Sequence, residues 1–502
     1  MRRSLKLIFL YIICLSTLLC ACSGPAVPVP ETTDPPTTAT PTAPEPAEPE
    51  VFRLCYSSKD SLNPYKAQSV INLVLMPLIY DPLFQIDEHF TARPVIAESY
   101  MMDGLSCSVT IKTGISFSNG STLTTSDIFS SYKLASQSSV YGNKLKNIDK
   151  VSIESDTEMT FHLKEADVNF INTLDFPIIA KNTGEQNFPS GSGKYIINAQ
   201  EENMNLTVNS NWTLGTSPTL TEITLADIPE GGAVVNALET KKITFLYDEL
   251  SEGSSKRINA ATRNVPMNNL VFLGVNTRRS GLSAPAVRQA LSCALNRKDI
   301  VTNGFQGNAL AATGLFHPNW TPAANTQTGD ITADIAKAKE ILEDSGKNIA
   351  SLTLLVNEEN TFRKDTAAEI ASNFAELGIE ITIISKSWED YSAAITAGDY
   401  DLFIGELRIA SNMDISPLIL GNQENPTGVL CPENVKNNYI AYKTGTLRLE
   451  EFLDTFEMSM PFIPICYRSG IVAYSRNLMG EMAPVQSNVF SGIEDWSLFQ
   501  SN

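Results

Sequence analysis

From residue 51 onward the apolar positions of the chain repeat on two different periods. In the first half they form short alternating runs. Residues 51–56 (Val-Phe-Arg-Leu-Cys-Tyr) read as a strand, 107–111 as another, and 151–163 as a hairpin turning at Ser155-Asp156. Side chains two apart share one face of a strand, so this alternation buries a single face. In the second half the texture changes. An apolar run at 352–356 is followed by Phe362, Ala367, Ile370, Ala371, Phe374 and Leu377 at helical spacing, ending at Gly378. Residues 379–384 are rich in isoleucine, Trp388–Ala397 predicts a short helix closed by Gly398, and 400–404 predicts a third strand. The order β-α-β-α-β predicts a parallel sheet with right-handed crossovers. Thr124 or Thr125 can cap a helix starting near Ser126-Asp127, and Ser118-Asn119-Gly120 is a turn signal.

The amino terminus follows neither period. Arg2, Arg3 and Lys6 flank and precede an apolar run of thirteen residues, 7–19. That length suits the core of a secretory signal and falls short of the roughly 20 residues that span a bilayer. The run ends in Leu19-Cys20-Ala21-Cys22, which resembles the lipobox of bacterial lipoproteins. The resemblance implies cleavage after Ala21, a diacylglyceryl thioether on Cys22, and a stable anchor on the extracytoplasmic side of a bacterial cell membrane. The alternative is an ordinary secretory signal with incidental cysteines. From Ser23 to Glu50 the chain is almost all Pro, Thr, Ala and Glu. Such a segment buries too little apolar surface to offset its ordering entropy, so 22–50 is expected to be a disordered tether.

Composition narrows the body that follows. About 450 residues exceed what one hydrophobic core usually supports, so at least two lobes are expected. The formal charge is −19, and −22 once residues 1–21 and their three cations are removed. An acidic balance of that size argues against nucleic acid as a partner. Beyond the signal, Cys55, Cys107, Cys293, Cys431 and Cys466 form no C-x-x-C pair, and Cys55, Cys107 and Cys466 sit in strand-like runs that suit buried thiols. His89, His162 and His317 are too far apart in sequence for a helix-borne metal site. No G-x-S-x-G elbow, phosphate loop or dinucleotide fingerprint occurs. No enzyme activity, cofactor or metal is expected.

Many short motifs run in register along the body. Leu62-Asn63-Pro64 comes first, then Ile79-Tyr80-Asp81-Pro82-Leu83 and Arg93-Pro94-Val95-Ile96-Ala97-Glu98-Ser99. The most specific block runs from Asp103-Gly104 through Val109-Thr110-Ile111-Lys112-Thr113-Gly114-Ile115-Ser116-Phe117-Ser118-Asn119-Gly120. Gly191-Ser192-Gly193-Lys194-Tyr195, Val287-Arg288-Gln289-Ala290-Leu291 through Asn296-Arg297, and Gly398-Asp399-Tyr400-Asp401-Leu402 follow. In this order they resemble the family 5 extracytoplasmic solute-binding proteins of ABC importers, which handle oligopeptides, dipeptides and nickel chelates. The resemblance implies an α/β, two-lobed clamshell of the large peptide-binding type, with an extra β-rich subdomain in lobe one. Lobe one would comprise 51–268 and 462–502, and lobe two 269–461. It also implies a monomer that captures a peptide or similar small polar solute and docks on membrane permease subunits. A sensory receptor and, more remotely, a surface hydrolase are the alternatives. Arg288 is expected to salt-bridge within its own lobe.

The site can also be approached from the sheet. Ligands of open α/β sheets sit beyond the carboxyl ends of the strands. That nominates the loops 357–360, 386–388 and 406–414. Trp388 offers a flat apolar wall. Glu406 and Arg408, two apart in extended chain, point to one side and could take the two ends of a zwitterion, unless they pair with each other or with solvent. The Arg408 fork suits a carboxylate. Where peptide-binding relatives carry an acidic residue this chain has Ser411 or a neighbour, and Asp414 resembles a later aspartate of that motif. Asn276 and Ser192 complete the candidate ligand contacts.

Overall fold

The apolar strands of the second half bury both faces of one sheet. The computed structural model describes residues 51–199, 204–228, 231–255, 257–421 and 427–499, so the signal, Cys22 and the tether lie outside the described residues. Strand Ser351–Asn357 pairs in parallel with Glu380–Lys386 on one side and with Leu402–Arg408 on the other. Leu354, Val356, Leu402 and Ile404 bury against Phe362, Ile370 and Phe374 of helix Thr361–Ala375. Leu355 and Phe403, one residue out of phase, bury against Tyr391 and Ile395 of helix Trp388–Ala397. The helices therefore cover opposite faces. That follows from two right-handed crossovers that step in opposite directions across the sheet.

The expected parallel sheet is only part of a mixed one. Leu402–Arg408 also runs antiparallel to the long strand Ala261–Val275, which in turn pairs antiparallel with Phe462–Tyr474. With Phe245–Asp248 and Ala309–Ala311 this makes a seven-stranded sheet. Sequence order hides the antiparallel half, because its strands lie far from the β-α-β-α-β block. The third strand also starts later than 400, since Asp401 instead accepts hydrogen bonds from Thr353 N (2.9 Å) and Oγ1 (2.8 Å).

The first half builds two four-stranded sheets. One pairs Arg53–Tyr56 in parallel with Glu222–Asp227, extended by Met204–Val208 and Tyr195–Ala199. The other is antiparallel and contains the expected hairpin, Ile148–Ile153 with Glu158–Leu163. Helix Thr125–Gln137 opens with the capping box of Thr124 and Asp127. The Gly191-Ser192-Gly193 turn lies flat on the chain at Ile79. A Cβ at Gly193 would stand 2.4 Å from Ile79 C, and one at Gly191 would stand 2.1 Å from Ile79 O. The five cysteines are free, with Cys55, Cys107 and Cys466 buried.

Two strands join the halves. Val265 and Val472 pack with Phe52, Phe245 and Trp496, whereas Leu270 and Phe462 on the same strands pack with Phe272 and Phe403. The pairing register of Ala261–Val275 shifts between Pro266 and Asn269, where the strand passes from one core to the other. Beside this crossing Glu406 accepts from Arg468 Nε (2.7 Å), Arg363 Nη2 (3.3 Å) and Asn269 Nδ2 (2.9 Å). Hairpin Phe84–Ile86 with Ala92–Pro94 supplies a third contact. Its tip residue Phe90, at φ +53°, seats in the second core with its ring tilted against that of His317 at 4.4 Å.

Arg288 departs from expectation. Among the described residues its guanidinium forms no ion pair; it donates instead to the carbonyls of Met460, Leu282, Ser283 and Ser459. It ties a helix to the end of another by satisfying carbonyls that have no helical partner.

Two outcomes follow. Gly193→Ala should lower stability by about 1–3 kcal/mol, because the methyl group meets backbone that cannot move aside; denaturant titration measures it. Glu406→Gln should cost about 3 kcal/mol at pH 7 by leaving two buried guanidinium groups short of a carboxylate. Burial raises the Glu406 pKa, but Arg468 and Arg363 more than offset this and hold it below its ordinary 4.5. A depressed folded value gives stability that is present above the unfolded pKa and is lost as pH falls through the folded one. The gap between wild type and Glu406→Gln should therefore narrow below about pH 4.5 in unfolding curves taken across acid pH.

Candidate functional site

The two long strands hold the cores apart around a cavity of about 1160 Å³. One wall comes from the first half, with Asp81, Lys112, Lys194 and Trp212; the facing wall comes from Arg408–Asn412, Asp414 and Lys443. Asn268 of the crossing strand and Gln486 of the carboxy-terminal return line the space between them.

The first wall is built on the glycine turn. Because Gly191 and Gly193 press against Ile79, Ser192 is brought under Asp81 and donates to its Oδ2 (3.2 Å). Burial raises the Asp81 carboxyl, and Lys194, Ser192 and Lys112 offset this only in part. The Trp212 indole N–H faces the same carboxylate too loosely for a hydrogen bond of ordinary geometry. Lys194 Nζ lies 5.1 Å over the Trp212 ring and 3.1 Å from Glu494 Oε1.

The facing wall is the loop after strand Leu402–Arg408. Ile409 N donates to Asn268 O (2.8 Å), and Met413 turns the chain at φ +58°. Ser411 and Asn172 of the opposite wall exchange two hydrogen bonds: Ser411 Oγ donates to Asn172 O (2.7 Å), and Asn172 Nδ2 to Ser411 O (2.9 Å). Asn172 Nδ2 also donates to Phe90 O (3.0 Å), and Asn412 Nδ2 to Asp167 Oδ2 (2.8 Å). The Asp414 carboxylate accepts from Tyr439 OH (2.7 Å), Ser416 N (2.9 Å) and Ser416 Oγ, with Lys443 Nζ 3.4 Å away. Burial raises its pKa, but Lys443, Ser416 and Tyr439 outweigh that and leave it below its ordinary value.

Of the sequence-derived candidates, Arg408, Ser411 and Asp414 line the cavity. Arg408 is 57% exposed along its side chain and pairs with Glu249 (3.1 Å). Glu406 does emerge on the same side of the strand, yet it is consumed by Arg468 and Arg363 outside the cavity. Trp388 stands away from the cavity, 59% exposed and stacked on Tyr391 at 5.7 Å. Asn276 is buried, donating to Gly398 O (3.1 Å) and Tyr400 O (2.9 Å). Ser192 stands behind Asp81 and acts on the cavity through it. Only one of the three nominated loops reaches the cavity. Strand Glu380–Lys386 is the sheet edge, and Leu402–Arg408 alone among the three parallel strands lies beside the crossing.

Asp81, Lys194, Trp212, Asn268, Asp167, Lys443 and Gln486, which line the cavity, were not singled out by sequence. They come from seven separate stretches of chain, and only Asp81 and Lys194 sit inside a recognisable motif. Among the described residues no group of three or more His, Cys, Asp or Glu side chains is placed to hold a metal ion, and no helix is long and apolar enough to cross a membrane.

Comparison with known proteins places this geometry. The family model described as bacterial extracellular solute-binding proteins, family 5 middle, matches residues 91–424. The Glutathione-binding protein GsiB of Escherichia coli (strain K12) is 24% identical over 465 residues, spanning 84% of this chain and 90% of the relative. An ABC transporter substrate-binding protein from Sinorhizobium meliloti superposes with a TM-score of 0.73 at 18% identity, over 90% of this chain and 100% of that one. The oligopeptide-binding protein AppA from Bacillus subtilis, in complex with a nonapeptide, gives 0.57 at 22% identity over 90% and 99%. A chain matched through its middle by that model, folded like these proteins and carrying a cavity between its two cores, belongs to the bacterial extracellular solute-binding proteins, family 5.

Proposed function

We propose that the protein captures a peptide or similar small polar solute in the cavity and delivers it to the permease of an ABC importer. The cavity carries this reading. At about 1160 Å³ it exceeds the roughly 300–1,000 Å³ of ordinary small-molecule pockets, and it is walled from both sides by polar and charged side chains. A solute touching both walls at once favours the form in which they are close, which is how such a receptor reports occupancy. The names of the relatives, a Glutathione-binding protein and a protein bound to a nonapeptide, point to the same class of solute.

In this reading lobe one comprises 51–268 and 462–502 and lobe two 269–461, with the hinge at the register shift between Pro266 and Asn269. Arg408, Ser411 and Asp414 contribute to the solute-facing surface of lobe two. The protein works as a monomer, held at the membrane by two acyl chains on Cys22 with 23–50 as spacer.

Two measurements test this. Thermal unfolding against pools of di- to octapeptides should show stabilisation, about 2.7 kcal/mol at a ligand concentration 100 times Kd. No shift with any peptide pool would remove peptides as the solute class. Cys22→Ala should move the protein from the membrane fraction to the soluble extracytoplasmic fraction; unchanged membrane association would refute the lipid anchor.

A further inference from the structure

Most of the carboxylates lining the cavity already have partners. Of its carboxylates, Asp414 is held by Lys443, Ser416 and Tyr439, Asp175 by Lys144, Glu494 by Lys194, and Asp87 by Arg93 (2.6 Å). Asp167 accepts from Asn412 Nδ2 and Asn169 N (3.0 Å), and Asp81 accepts from Ser192 with Lys194 and Lys112 close by. The other two lining carboxylates, Glu88 and Glu165, are exposed. An ammonium group entering the cavity therefore meets no buried carboxylate without an existing partner. It would have to share each buried carboxylate with donors already in place.

Neutral groups are in the opposite condition. Asn268 Oδ1, Asn412 Oδ1 and Gln486 Nε2 have no hydrogen-bond partner and lie just out of reach of water, yet all three residues line the cavity. Asn268 is 2% exposed and Asn412 is 8% exposed. Asn268 and Gln486 are neighbours, since Asn268 N donates to Gln486 Oε1 (3.1 Å). Together they offer one free acceptor and one free donor, which is the complement of a peptide group. A buried polar atom without a partner carries a desolvation cost that a matching ligand group relieves.

We infer that the cavity recognises its solute through uncharged amide groups at Asn268, Gln486 and Asn412, and does not require a free ammonium, so that amino-terminally blocked peptides are ligands. This rests on the peptide reading above and narrows it.

The test uses the full chain in mild detergent and calorimetric titration with matched tri- to hexapeptide pools, one with free amino termini and one N-acetylated. Kd values within about threefold of each other would support the inference. Acetylated peptides binding more than tenfold more weakly would overturn it and leave the peptide reading intact. Binding of neither pool would overturn the peptide reading and this inference together. Asn268→Leu and Gln486→Leu, each checked for an unchanged melting temperature, should weaken binding of the acetylated pool about tenfold, the equivalent of 1.4 kcal/mol. Unchanged affinity in both would also overturn the inference. If either variant unfolds, the comparison of the two pools on the unaltered chain still decides.

Discussion

Two neighbouring strands must leave one hydrophobic core and enter another without losing their pairing, and much of the structure answers to that constraint. Ala261–Val275 and Phe462–Tyr474 resume their pairing beyond the passage by shifting register between Pro266 and Asn269, where Met267 and Asn268 drop out of the ladder. There buried polar side chains add to the cohesion. Arg468 donates to Glu406, to Glu249 O (2.9 Å) and to Leu250 O (3.3 Å), filling a guanidinium fork with one carboxylate and two carbonyls. Buried charge is tolerable where each donor and acceptor has a partner, and it fixes a junction in one geometry.

Legibility in the sequence followed distance along the chain. The block from 351 to 408 could be read, because each helix and strand meets its own neighbour and the apolar period is uninterrupted. A cap at Thr124 or Thr125 and a hairpin at 151–163 were readable for the same reason, although the hairpin begins at Ile148. The antiparallel half of the large sheet was not, since residues 261–275 pair with 462–474 and no local pattern encodes that partner. The cavity lining was less legible. Arg408, Ser411 and Asp414, which line it, follow a recognisable strand, whereas Asn268 and Gln486 come together only when the carboxy-terminal return folds back. Trp388 and Asn276 lie away from the cavity, one stacked on Tyr391 of its own helix and the other donating to the carbonyls of Gly398 and Tyr400.

The formal charge of −19 does not carry into the cavity. Seven lysine and arginine side chains line it, close in number to the eight carboxylates. Most are paired across short distances, so the field inside is a set of local dipoles instead of a single sign. Selectivity in such a space depends on where individual donors and acceptors sit. A solute gains little from net charge alone, because several of the ionic contacts open to it compete with a pair already formed.

The hairpin tip at Phe90 changes how the two cores can move. Two parallel crossings behave as a ribbon, which bends easily and also twists. An aromatic ring from one core seated among Leu315, Phe316 and Tyr467 of the other, with its carbonyl held by Asn172, adds a peg outside the ribbon. A peg and a ribbon together resist twisting and leave bending as the softer motion. The gap between the walls then varies mainly as an angle, narrow near the peg and wide at the rim. Under that geometry a long solute and a short one are distinguished less by the depth they reach than by how far apart they leave the outer edges, and those edges are what a membrane partner would meet.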